Sequence, residues 1–207
     1  MSINAETLTT KAEARTQAQR DRILAAARAC FVKSGFHAAS MATIAETAGM
    51  SPGLIYRYFE NKNVIILAII ERQLEIARER IGQMHASDDL ASGIVRSFGA
   101  REGCTENSMN GALFLEMSAE ATRDPQIAAA LRRFDATVHS EVASWLSCDR
   151  KDGGYGLPED VARARALIFV CLIEGLKVRE AREPTLDKAL LEKALSETVA
   201  ALVSPPK

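Results

Sequence analysis

Arg57 stands between two tyrosines, Tyr56 and Tyr58, with Lys62 close behind. A guanidinium is a planar fork that pairs bidentately with O6 and N7 of guanine in the major groove. It grips a phosphate equally well, so base reading and phosphate binding both remain open for Arg57. Lys62 falls where a helix should open, and there an ammonium and the helix N-terminus both favour a phosphate. Just upstream, Ser40, Thr43 and Ser51 supply hydroxyls and Gly53 a bare stretch of backbone, all suited to seating a sugar-phosphate chain. A second set has different chemistry. Glu116 and Glu120 are four residues apart, on one helical face, and paired carboxylates can do acid–base work or hold a cation. Ser51 and Ser118 have no sequence-local base, and no glycine-rich loop follows a strand, so nothing argues for catalysis or for a cofactor.

The stretch Ser40–Lys62 must position the first set, and it reads as two short helices joined by a tight turn. Ser40 is a good N-cap for the first, whose inner face carries Ile44, Ala45 and Ala48. Gly49 suits the position just past a helix C-terminus, where a left-handed backbone costs glycine nothing. Ser51-Pro52 is a helix-start signal, and Ile55 and Phe59 give the second helix its buried side. Two helices in this arrangement form a helix-turn-helix, whose second helix enters the major groove with its N-terminal residues toward base edges.

The segment GMSPGLIYRYFENK resembles the recognition segment of the TetR-like family of bacterial repressors, typically G-V-S-x-G-x-L-Y-x-[HY]-F-x-x-K. It matches at Gly49, Ser51, Gly53, Tyr56, Tyr58, Phe59 and Lys62, with Ile55 for the usual leucine and Met50 for the usual valine. The preceding A-E-T-A-G is also similar to that family, and the likeness covers roughly the first third of the chain. It implies that Tyr56 and Tyr58 bind phosphate oxygens through their hydroxyls, although core packing competes for Tyr58. The family often carries arginine near Ala42; its absence leaves base reading to Arg57 and Leu54. The resemblance further implies that the helix after Lys62 connects a DNA-binding module to the rest.

Charge distribution agrees with a DNA-facing N-terminus. Residues 1–62 carry eight Lys and Arg against five Asp and Glu, a surplus of three; the net charge of −1 then leaves −4 for residues 63–207. No apolar run approaches the ~20 residues that span a bilayer, and the N-terminus has no hydrophobic signal core, which predicts a cytoplasmic chain with no membrane partner. Cys30, Cys104, Cys148 and Cys171 show no C-x-x-C spacing, so neither a disulfide framework nor a metal site is expected.

Periodicity predicts an all-α chain. Residues 1–14 read as a mobile polar tail, followed by a helix from about Arg15 to Ser34 that Gly35 closes. Lys11, Arg15, Arg20 and Arg22 along it read as solvated charges or as phosphate contacts. A helix from an Asn61 N-cap to about Met84 should bury Val64, Leu67, Ile70, Leu74, Ala77 and Ile81. Further helices are expected from Ser87 to near Gly99–Gly103, over Gly111–Thr122 and Pro125–Arg150, from Pro158 to Glu183 and from Pro184 to Val203. Cys104–Asn110 reads as the loosest stretch and Lys151–Leu157, with its three glycines, as a flexible loop. The expected organisation is a three-helix helix-turn-helix module over 1–62, a connecting helix over 63–84, and an effector-binding and dimerisation domain over 85–207.

One such module binds weakly, so affinity calls for a homodimer on a pseudo-palindromic double-stranded DNA operator. Leu167, Ile168, Leu172, Leu176, Leu190, Ala194 and Leu202 make the last two helices amphipathic, suited to a four-helix interface. Gly175, in an E-G-L similar to the family's D-G-L, permits close backbone approach there. For a small-molecule effector the candidates are Phe98, Phe114, Met117, Phe134 and Trp145, with Glu116, Glu120 and Glu141 near them. The effector would be lipophilic, and cationic if one of these carboxylates faces inward. The expected function is a repressor released from its operator by such a ligand; the alternative is a ligand-independent DNA-binding adaptor whose C-terminal domain holds a protein partner.

Overall fold

The computed structural model describes residues 3–84, 89–98 and 110–205, and all regular structure within them is helical. The chain divides into two compact units, Met1–Ile69 and Ile70–Lys207. No described helix is long and apolar enough to cross a membrane. The stretch expected to be loose, Cys104–Asn110, lies outside the described residues up to position 109.

The first unit contains α1 (Ile3–Ala38), α2 (Met41–Thr47), α3 (Pro52–Ile55) and the start of α4 (Lys62–Gly82). α1 begins well before the expected Arg15, occupying most of the stretch read as a mobile tail, because no proline or glycine interrupts residues 3–34. It breaks where expected, at Gly35, whose φ of 77° lies in the left-handed half of the map. Ile23, Ala27 and Phe31 of α1 join Phe36, Ile44, Ile55, Phe59 and Ile65 in the core. The rings of Phe31 and Phe36 meet edge to face at 5.3 Å.

α4 buries a stripe that shares only Ile70 with the one expected. Its protected side chains are Ile65, Ile66, Ile69, Ile70, Gln73 and Ile76, while Val64, Leu67, Leu74 and Ala77 are only half-buried. The run VIILAII is apolar around the whole helix, so two stripes shared the same spacing, and the isoleucine side took the core.

The second unit contains the remainder of α4, then α5 (Leu90–Ser97), α6 (Gly111–Ala121), α7 (Pro125–Ser147), α8 (Glu159–Arg182) and α9 (Lys188–Val203). α6 packs on both α7 and α8, and α5 packs on α9. Gly111 is needed where α6 meets α8: a Cβ there would overlap the carbonyl oxygen of Lys177 and come 2.9 Å from the amide nitrogen of Ala181. One core cluster holds Val142, Trp145, Leu146, Leu157 and Ala166; another holds Ala91, Val95, Phe98, Leu191 and Leu195.

Two boundaries differ from expectation. Residues 151–157, expected as a loop, open with the end of a short 3-10 turn (Arg150–Asp152) and are then hydrogen-bonded back to α7. Gly156 N–H donates to the Cys148 carbonyl at 2.8 Å and Leu157 N–H to that of Leu146 at 3.1 Å, folding the segment back on α7. Gly153 and Gly156 serve as left-handed residues there, with φ of 90° and 66°, so the glycines select a conformation. α9 starts after Asp187, whose carboxylate accepts from Ala189 and Leu190 amides; Pro184 lies in the preceding turn.

Candidate nucleic-acid interface

Local chemistry sets the helix-turn-helix. The Ser40 hydroxyl caps α2, accepting from Thr43 N–H at 3.0 Å, and lies 2.8 Å from the Thr43 hydroxyl. Gly49 makes the turn with φ of 61°, its N–H donating to the Glu46 carbonyl at 2.9 Å. Ser51 opens α3 with no capping bond from its hydroxyl. The regular part of α3 is a single turn, but Tyr58 and Phe59 amides both donate to the Ile55 carbonyl at 3.0 Å, carrying the coil through the recognition segment.

Ile55 and Phe59 point inward, and the opposite side of the segment is open: Ser51, Gly53, Tyr56 and Arg57 are exposed, Tyr56 by 56%. Leu54 and Tyr58 are half-buried. Gly53 faces empty space, since a Cβ built on it has no neighbour within 4 Å. No packing demand explains this glycine, and a backbone without a side chain is what close approach of a polyanion requires. Ser40, Thr43, Ser51, Gly53, Tyr56 and Arg57 thus present exposed donors and bare backbone along the two short helices.

Lys62 is occupied within the protein. Its ammonium donates to the carbonyl of Phe36 at 2.8 Å and to that of His37 at 3.3 Å, and lies 4.6 Å from the centre of the Phe36 ring. These bonds fasten Lys62 to the short segment that follows the break in α1 at Gly35. Asn61 caps α4 as expected, its side chain accepting from Val64 N–H at 3.0 Å.

Arg20 and Arg22, read from sequence as solvated charges or phosphate contacts, have partners within the protein, Arg20 part-buried and Arg22 at the surface. Arg20 donates to the Tyr58 carbonyl at 3.1 Å and stacks over the Phe59 ring at 4.4 Å. Arg22 reaches the Gly49 carbonyl at 3.4 Å. Sequence offered no sign of this, because a cation that stacks on a ring looks the same as one in water.

The structure does not gather the eight candidate effector residues. Phe98 belongs to the core between α5 and α9, and Trp145 to the core under residues 153–157, with its indole N–H donating to the Gly153 carbonyl at 3.2 Å. Glu141 pairs with Arg78 at 3.1 Å on an exposed surface. Phe114, Glu116, Met117 and Glu120 remain together on α6, with Met117 and Glu120 buried, and Phe134 is half-buried on α7. Glu120, only 7% exposed, has Arg123 at 4.0 Å.

Two carboxyls that sequence reading passed over lie on α7 and α8. Asp135 keeps surface open to solvent, yet neighbouring atoms desolvate its carboxyl and raise its pKa above the ordinary value. Glu174 is raised as well, first by desolvation and then by the charge of Asp135. Of the residues considered for a dimer, Leu167, Ile168, Gly175, Leu190 and Ala194 are exposed. Leu172, Leu176 and Leu202 are half-buried, the first two packing on the core between α5 and α9.

Comparison with known proteins bears on both units. Residues 23–69 match the family described as "Bacterial regulatory proteins, tetR family", and residues 91–204 match "BetI-type transcriptional repressor, C-terminal". The HTH-type transcriptional regulator UidR of Escherichia coli strain K12 is 38% identical over 148 residues, 67% of this chain and 70% of that protein. The HTH-type transcriptional regulator BetI of Yersinia pestis strain Pestoides F is 28% identical over 167 residues, 79% of this chain and 81% of that one. Among solved structures, Salmonella enterica GusR superposes with a TM-score of 0.69 at 29% identity, covering 90% of this chain and 95% of that one. UidR and BetI are both named as transcriptional regulators. An exposed recognition segment on a helix-turn-helix, a second unit whose described regular structure is helical and likeness in both parts establish that the chain belongs to the TetR family of bacterial transcriptional regulators.

Proposed function

We propose that this regulator is a cytoplasmic homodimeric repressor that leaves a pseudo-palindromic operator when a small lipophilic cation binds its second unit. The observation that carries the dimer is the exposure of large aliphatic side chains on α8 and α9. Leu167, Ile168 and Leu190 are 55%, 54% and 61% exposed, and a second copy covering them would take that apolar surface out of water. Gly175 adds to it. It lies inside α8, where glycine costs about 1 kcal/mol against alanine, and its Cβ position has no neighbour within 4 Å. A second copy packed closely on α8 supplies the reason for it.

The effector reading rests on α6, α7 and α8, which pack together and bring Phe114, Met117 and Phe134 into one bundle with Glu116 and Glu120. Asp135 and Glu174 add two carboxyls with raised pKa values, Glu174 in part through the charge of Asp135, and a cation relieves the cost of charging both. A ligand shifts the balance between DNA-bound and released dimers only by its difference in affinity for the two.

Sedimentation of Ile168→Glu tests the dimer: a folded monomer is expected, with weak DNA binding, and a mutant that stays dimeric moves the interface elsewhere. For the effector, alkyl quaternary ammonium ions and matched neutral and anionic lipophiles are compared by thermal shift and DNA release. The cations should raise the melting temperature and release DNA, and Glu174→Gln should lose both effects. If none of these lipophiles releases DNA, the ligand-independent adaptor is the better account.

A further inference from the structure

We infer that Arg20 and Arg22 are positioning residues for DNA reading: from α1 they hold the two ends of the recognition segment, Arg22 at its entry and Arg20 at its exit, and neither serves as a phosphate contact. The inference rests on the reading of this motif as a DNA reader.

At the entry, the Gly49 carbonyl belongs to the turn, where the chain leaves α2 and no helical amide is in register to meet it. Arg22 reaches it at 3.4 Å. The side chain lies close over the turn: a Cβ on Gly49 would stand 2.6 Å from the tip of this flexible side chain, which can give way, so it is the φ of 61° that requires the glycine. At the exit, the Tyr58 carbonyl lies at the C-terminal, partially negative end of the segment, where a cation is favoured. Arg20 meets it at 3.1 Å and covers the face of Phe59 at 4.4 Å. Phe59 is itself buried in the core, so the guanidinium is held by a fixed ring as well as by an oxygen.

Two residues apart on a helix turning about 100° per residue, Arg20 and Arg22 leave α1 on opposite sides. Between them Ile23 and Ala27 seat α1 in the core. The recognition segment is therefore braced at both ends from one rigid element. Its regular helix is a single turn and has little stiffness of its own. Base reading needs the side chains placed to a fraction of an ångström, whereas phosphate attraction tolerates looser placement.

The test uses the full chain and two duplexes: one enriched from a random-sequence library by the wild-type protein, and a shuffled duplex of the same composition. Affinities are measured over a range of salt, with melting recorded for each variant. Arg20→Met and Arg22→Gln should each lose about tenfold or more on the enriched duplex and little on the shuffled one. The salt slope should be unchanged and melting should stay above the assay temperature. Arg20→Lys should not restore the loss, because an ammonium lacks the planar fork that bonds and stacks at once. Arg22 is exposed, so its variants should fold even where those of Arg20 do not. Equal loss on both duplexes with a slope lowered by about one, and rescue by lysine, would make these residues phosphate contacts and overturn the inference. Unchanged affinity overturns it too, as does a loss on both duplexes that follows the unfolded fraction. If the wild-type chain enriches no sequence, the reading of the motif as a DNA reader falls first and the inference falls with it.

Discussion

The ammonium of Lys62 lies 2.8 Å from the carbonyl oxygen of Phe36 and 4.6 Å from the centre of the same residue's ring. One side chain thus joins the end of α1 to the start of α4 through a charged hydrogen bond and a cation–π contact. Lys62→Met keeps the apolar stem and removes both. It should cost about 1–3 kcal/mol of the first unit's stability, seen as a lower denaturation midpoint at unchanged slope. A phosphate role alone would leave the midpoint in place and lower the salt slope of DNA binding by about one.

Arg57 is exposed beside Tyr56 on the open side of the recognition segment, and nothing in the core depends on it. Arg57→Ala should leave melting unchanged. If Arg57 reads guanine, the loss on the enriched duplex is about 1–3 kcal/mol and preference relaxes at one symmetric position of the site. Equal loss on enriched and shuffled DNA would remove it as a reader and leave it a phosphate contact.

Gly53→Ala separates folding from binding. A methyl at this position meets nothing in the protein, and the residue sits in a helix, so stability should hold or rise by up to about 1 kcal/mol. DNA affinity should fall several-fold on enriched and shuffled duplexes alike, because the methyl stands where backbone and phosphate would meet. Wild-type affinity in this variant would place the DNA away from Gly53.

Asp135 and Glu174 predict a pH dependence of definite sign. Their carboxyls have raised pKa values in the folded chain, so folding favours the protonated forms. The stability they contribute is fully present below the ordinary carboxylate pKa and is lost as pH rises through the raised values. Asp135→Asn should therefore melt higher than wild type at neutral pH, and the advantage should vanish on acidification below the carboxylate range. An equal advantage at both pH values would point to packing instead of charge.

Much of the first unit was legible because its signals are local. A hydroxyl at Ser40, a glycine at Gly49 and a proline at Pro52 each determine backbone geometry within a few residues, and their spacing carried the family resemblance. The stripe of α4 was not legible, because an apolar run on every side leaves the choice of face to tertiary packing. Residues 151–157 misled for a related reason: glycine signals freedom in sequence, but Gly153 and Gly156 use it to reach one bonded conformation. Arg20, Arg22 and Lys62 find their carbonyl partners across sequence separations of 38, 27 and 26 residues, and no periodicity reports that. The scattering of Phe98, Trp145 and Glu141 is of the same kind, since helical spacing tells which side chains are inward but not which core receives them.

Trp145 is the chain's single tryptophan, and its ring is fastened to the segment that follows α7, by the bond to Gly153 and by Tyr155 edge-on at 5.2 Å. It is therefore a built-in optical gauge of that closure. Its emission will shift when residues 153–157 lift and the indole meets water, whatever lifts them. A ligand seated beside Phe114 and Phe134 that leaves this closure shut will be spectroscopically silent. A flat fluorescence titration thus says nothing about binding, and heat or DNA release must be the signal followed.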